Sequence, residues 1–214
     1  MAIFSSTPKD LIKIAQCHKK AFSKSLSSKL GLRYCIKMLS FYIEDNRGVL
    51  FHIIEGDTVT GYCGGLMNRV PGLHGSATSV TQHTFRSLVL NILIRPWLVF
   101  HPEIRMNFPL IIKNLKLRLF GLDSRETANI QAQNKEFVPS MGLVVIGVSP
   151  DHQGKGFGSL LLREFELKAQ KEGFPQMHLS VRKSNSQAIA AYKKNGWQIG
   201  KEGPEEYMMY KSLT

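Results

Sequence analysis

Gln153-Gly154-Lys155-Gly156-Phe157-Gly158-Ser159 stands between an apolar run and a second apolar run of helical period. The glycines permit close backbone approach and unusual dihedrals. A helix that starts here leaves its first amides unpaired at the loop, and such a place favours an anion. Lys155 adds a positive charge. A second stretch, Asn185 to Trp197 (NSQAIAAYKKNGW), carries a phenol at Tyr192. Asn185, Ala188, Ile189 and Tyr192 are spaced 0, 3, 4 and 7, so they share one helical face. Read structurally, Asn185 is a helix cap and Tyr192 a core-edge aromatic.

The loop is not a Walker loop, since no GxxxxGK[ST] string occurs. Gly154, Gly156 and Gly158 are spaced GxGxG, which also fails the GxGxxG dinucleotide pattern. What fits is Q-x-x-G-x-G followed downstream by N-x-x-A-x-x-x-Y-x-x-x-G-[FW]. In these two motifs the chain resembles the GNAT superfamily of acetyl-CoA-dependent N-acetyltransferases. The resemblance implies that amides of Gln153 through Ser159 bind the pyrophosphate of coenzyme A, with acetyl-CoA as co-substrate and no metal. It implies that the backbone at Ile146 and Val148 pairs with the pantetheine arm, and that Asn185 belongs to the cofactor-binding set. Tyr192 would serve the same set and act as the general acid that protonates the departing thiolate. A phenol of ordinary pKa, about 10, is protonated at neutral pH as that role requires.

No base is named. Some members, notably those acting on protein N-termini, carry a glutamate on the strand before Asn185, and Ser180 stands there in this chain. Glu55, His52, His74 and Glu136 are candidates, each more simply read as an ordinary strand or loop residue. His152 and His178 are read as bystanders.

The surrounding elements must hold these residues in place. Apolar spacing predicts helices over 8–22 and 30–43. Two β-rich runs flank Glu55-Gly-Asp-Thr58 and predict a hairpin over 48–66. Residues 68–84 read as loop, 85–120 as short broken helices interrupted by Pro96, Pro102 and Pro109, and 121–138 as polar helix or loop. From residue 140 the order is strand, helix closed by Gly173, strand, helix ended by Gly196, and two terminal strands. With the resemblance this implies a single α/β domain over residues 1–214. Its central mixed, mostly antiparallel sheet is flanked by helices, with a long insertion at 68–139 between the third and fourth strands.

Composition narrows the partners. The 214 residues carry a formal net charge of +12, which suggests an anionic partner. The basic residues are dispersed, with no aromatic-interleaved motif, so nucleic acid is disfavoured. The apolar and basic mixture of 85–120 resembles an interfacial helix; packing against the domain with exposed arginines is the simpler reading. Three scattered cysteines show no CxxC spacing, so a zinc site or disulfide framework is not expected. No signal-like start and no spanning segment of about 20 apolar residues is apparent, and a cytoplasmic protein is expected.

The expected activity is acetyl transfer to a primary amine of a small molecule, such as an amino sugar. The alternatives are a non-catalytic acyl-CoA-binding module and a protein or peptide amine acetyltransferase.

Overall fold

The computed structural model describes residues 2–70, 76–104 and 137–213. The chain order is β1 (Ala2–Ser5), α1 (Leu11–Ala21), α2 (Leu26–Leu30), α3 (Leu32–Glu44), β2 (Gly48–Glu55), β3 (Thr58–Asn68) and α4 (Ser76–Ile94). After the insertion come β4 (Ser140–Val148), α5 (Phe157–Lys171), β5 (Gln176–Arg182), α6 (Ser186–Lys194), β6 (Gln198–Glu202) and β7 (Glu206–Ser212). Short 3-10 turns precede α1 and α5 and follow α4.

The strands form one seven-stranded sheet in the order β1-β2-β3-β4-β5-β7-β6. Only β4 and β5 are parallel; every other neighbour is antiparallel. The sheet is therefore mixed and mostly antiparallel, as expected. α1 and α3 cover one face through Ile14, Ala15, Cys35 and Leu39 against Leu50, Tyr62 and Leu66. α5 covers the other through Leu161 and Phe165 against Phe51, Ile53, Met141 and Leu143.

Several elements differ from the sequence reading. β1 was not expected: it is an edge strand with mostly exposed side chains, so no apolar alternation marks it. The helix expected over 30–43 is α3, Leu32–Glu44; the short α2 before it was not expected and is set off by Gly31 with φ 101°. The loop expected over 68–84 is helical from Ser76, and α4 runs without interruption to Ile94. Its apolar residues are not confined to one face, which hid its period from the sequence. Pro96 sits in the turn just after its end, as a residue lacking an N–H should. The expected elements over 105–136 lie outside the described residues.

The β3–β4 register shifts between Gly64 and Gly65, leaving Val144 as the extra residue on β4. A bulge reverses the alternation beyond it. Met141 and Leu143 before it, and Ile146 and Val148 after it, therefore share the α5 face. Close approach at this place requires glycine: a Cβ at Gly65 would lie 2.4 Å from the Gly142 carbonyl oxygen and 2.5 Å from the Phe165 ring. Gly65→Ala is expected to cost about 1–3 kcal/mol, the range for overpacking a core. At about 2–4 °C per kcal/mol for a chain this size, the melting temperature reads the loss directly.

Candidate active site

β4 is paired with β3 along its length, but with β5 only from Ser140–Gln176 to Leu143–Leu179. Beyond that point the two parallel strands diverge. One edge of Val144 to Val148 therefore has no neighbouring strand among the described residues, and Ser180 is the first β5 residue past the divergence. Ser180 is exposed, with its hydroxyl on the Met208 sulfur at 3.2 Å. It leaves this position without a carboxylate.

The glycine loop begins where β4 ends. Gln153 Nε2 donates to the Val148 carbonyl at 3.1 Å, which ties the loop back onto the strand. Gly154 and Gly156 have φ 77° and 86°, a left-handed backbone that other residues adopt at a cost of about 1–2 kcal/mol. A Cβ at either residue, or at Gly158, would meet nothing within 4 Å. Gly154 and Gly156 are thus set by backbone conformation, and the space above all three is open.

Gly156 is the N-cap of α5 and supplies no side chain, so the first helical hydrogen bond runs from Leu160 N–H to the Gly156 carbonyl at 3.1 Å. The amides of Phe157, Gly158 and Ser159 precede it uncapped, which with the helix dipole makes a place for an anion. Lys155 is exposed beside them, whereas the Phe157 ring is buried in the core, 5.3 Å from the His152 ring. From Ser159 a groove of about 550 Å³ continues along α5 past Arg163, flanked by Asn195, Trp197 and Lys211.

α6 brings in the second motif. Asn185 caps it, its side-chain oxygen accepting from Ala188 N–H at 3.1 Å. Ala188 and Ile189 pack on the core that includes Tyr192, so the predicted shared face is present. Tyr192 is 9% exposed, and its ring lies 6.1 Å from that of Trp197. Its hydroxyl makes no hydrogen bond with the described residues. Burial, with Cys63 nearby, pushes the phenol up to about 12, so it stays protonated. Asn195 joins the two motifs: its Nδ2 donates to Ser159 Oγ at 3.1 Å, so the end of α6 is held against the start of α5.

The base candidates are placed as follows. Glu55 is paired with His152 Nε2 at 2.9 Å, and His152 Nδ1 meets Ser149 Oγ at 2.7 Å, so both brace the loop. His52 is 1% exposed, its Nδ1 on Ser6 Oγ at 2.8 Å and its Nε2 4.0 Å from Asp10. Burial lowers its pKa, with Asp10 acting against that. His178 packs its ring on Gly142, at the paired end of β4, and burial lowers its pKa too. His74 and Glu136 lie outside the described residues.

One polar group escaped the sequence reading. His18 on α1 is buried, with Nδ1 on the Tyr62 hydroxyl and Nε2 on Ser27 Oγ at 2.8 Å. Ser27 continues to Ser25 at 2.9 Å. The group lies against the end of β4, since a Cβ at Gly147 would meet the Phe22 and Tyr62 rings at 2.8 Å. The signal was a histidine in the apolar stripe Leu11, Ile14, Ala15 and Phe22, where a polar side chain needs partners. The three cysteines are free and buried.

Comparison with known proteins bears on the family and the fold. Residues 127–197 match the family described as Acetyltransferase (GNAT). A mycothiol acetyltransferase of Jonesia denitrificans is 36% identical over 58 residues, 27% of this chain and 18% of that protein. An acetyltransferase of Yersinia pestis (strain Pestoides F) is 37% identical over 49 residues, 23% of this chain and 35% of that one. The chain thus spans about a third or less of these curated relatives. Among solved structures, a PaiA N-acetyltransferase from Thermoplasma acidophilum in complex with coenzyme A superposes with a TM-score of 0.55 at 12% identity, covering 99% of both chains. A GNAT-family acetyltransferase from Streptococcus pneumoniae gives 0.55 at 13% identity, covering 100% of this chain and 99% of that one. At such identities the superpositions speak for the fold.

Proposed function

We propose that this chain, which carries a domain of the GNAT acetyltransferase family, is an N-acetyltransferase that moves the acetyl group of acetyl-CoA to a primary amine of a small molecule. The observation that carries the reading is the divergence of β4 from β5 after Leu143 and Leu179, with the uncapped glycine loop at the end of β4 and the Tyr192 hydroxyl, which has no hydrogen-bond partner among the described residues, in the same core. The donor supplies an activated thioester. The open space over Gly154 and Gly156 and the uncapped amides of α5 fit its pyrophosphate, and the edge around Ile146, beside the Val148 carbonyl that Gln153 holds, fits its extended arm. The amine nitrogen attacks the thioester carbonyl, the carbon–sulfur bond breaks, and the ammonium proton leaves to water or a base. An amide of β4 aimed at the carbonyl oxygen would stabilise charge there, while Tyr192 donates a hydrogen bond to the sulfur.

The net charge of +12 supports an acceptor that carries anionic groups, for which an amino sugar on a nucleotide carrier is the proposed class. Ser180 in place of a carboxylate argues against protein N-termini as acceptors. The test is release of free thiol from acetyl-CoA across a panel of polyamines, amino acids, peptides and nucleotide amino sugars. Turnover highest with the amino sugars supports the acceptor class, and turnover highest with polyamines overturns it. Absence of turnover with any amine beside tight acetyl-CoA binding would favour a binding module.

Gly156→Ala probes the loop. Since an added Cβ has space, its effect comes through backbone strain of about 1–2 kcal/mol. Acetyl-CoA affinity is expected to fall by roughly tenfold with the fold retained, as calorimetry would show.

A further inference from the structure

α4 is apolar on two sides, and among the described residues only one of them is covered. Its inner side sets Leu88 and Ile92 against Leu30 of α2 and Tyr34 of α3, and the Tyr34 hydroxyl reaches Thr84 at 3.3 Å. Its outer side steps by three and four from Arg86 through Val89, Leu90, Leu93 and Ile94 to Trp97 in the turn that follows, making one stripe. Leu93, Ile94 and Phe100 are 72%, 73% and 80% exposed. A helix that is apolar all round belongs in a core or at a lipid boundary, and a contiguous exposed patch of this kind marks an interaction surface.

The charge of the same layer selects the partner. Between Asp10 and Glu44 the sequence has seven Lys and Arg residues and no acid, and between Asp57 and Glu103 three arginines and no acid. These stretches contain α1, α2, α4 and all of α3 but its last residue, Glu44; Glu103, which ends the second stretch, accepts from Leu26 N–H of α2 at 3.3 Å. Exposed Lys24 and Lys29 lie where the stripe ends: Arg95 donates to the Lys29 carbonyl at 2.9 Å, and His101 reaches the Lys24 carbonyl at 3.3 Å. A second copy of this chain seated here would bring like charges together. We propose that this layer docks on an anionic phospholipid surface. Leu93, Ile94, Trp97 and Phe100 enter the headgroup boundary, and the surrounding lysines and arginines meet the headgroups. No helix among the described residues is long and apolar enough to cross a membrane, so the contact is peripheral.

The test is co-sedimentation of the full chain with vesicles of phosphatidylcholine alone and of phosphatidylcholine mixed with phosphatidylglycerol. Binding is expected to the anionic vesicles, to weaken with salt, and to be slight for the neutral ones. Leu93→Glu with Phe100→Glu changes two exposed side chains and is expected to weaken vesicle binding by about tenfold or more, with the melting temperature and its shift by acetyl-CoA unchanged. No binding of the parent chain, equal binding by parent and variant, or a parent dimer that the variant dissolves in analytical ultracentrifugation would each overturn the proposal. The equal-binding outcome would mean charge alone; the dimer outcome, a second copy as occupant.

Discussion

Tyr192→Phe is expected to lower kcat by about 100-fold or more, the scale for removing one donor aimed at developing charge, while acetyl-CoA affinity stays close to that of the parent chain. The change deletes one oxygen and keeps the ring on Trp197, Ala188 and Ile189, so packing is nearly preserved. The hydroxyl has no partner among the described residues, so its loss leaves no donor or acceptor unsatisfied. Burial, which holds the phenol at about 12, also defines what it does. An ordinary thiol titrates near 8.5, so complete proton transfer to a departing thiolate is uphill. The contribution is a hydrogen bond that strengthens as charge gathers on sulfur. Single-turnover kinetics at saturating acetyl-CoA check this. A parental rate of the chemical step in the Phe variant would take the role from Tyr192. The same burial predicts that no loss of activity due to phenol ionisation appears until pH nears 12.

Acid destabilisation is the second large effect. His18 lies between Tyr62 and Ser27, and burial lowers its pKa to about 4. In the unfolded chain an exposed histidine titrates near 6.5, so between these values the unfolded state binds the extra proton. Stability is therefore complete above about pH 6.5 and falls as the pH drops toward 4, by about 3 kcal/mol from this residue. At this chain length that is roughly 10 °C in the melt. His52, His83 and His178 shift in the same direction and add to the slope. His18→Gln isolates this contribution: its amide can replace part of the hydrogen bonding but does not titrate. The variant is expected to show a flatter curve across the window. Parallel curves for the two proteins would contradict the assignment.

The C-terminal third was legible because its rules are local. Gly154 and Gly156 take positive φ, the apolar run of β4 and the alternation of β5 mark strands, and Asn185 caps α6 as an Asn at that place should. The rest depended on tertiary context. β1 exposes most of its side chains, and only Ile3 packs on the core. α4 presents apolar residues on its outer side as well as its inner side, which erased the period that would have marked Ser76–Ile94 as one helix. In the site, the glycine loop and Tyr192 were visible as motif positions. The His18–Tyr62 pair joins residues 44 apart in sequence, so only the fold brings them together. Ser159 was expected at the anion site, and its tie to Asn195 could not be read from spacing either.

Thermal melting alone, with acetyl-CoA, with free coenzyme A and with ATP reads whether the glycine loop holds coenzyme A. A ligand at 100 times its dissociation constant stabilises by about 2.7 kcal/mol, which moves the melt by several degrees. A shift of that size with both coenzyme A forms, and little with ATP, is the predicted result. No shift with either coenzyme A form, or an equal shift with ATP, would contradict a coenzyme A site at the glycine loop.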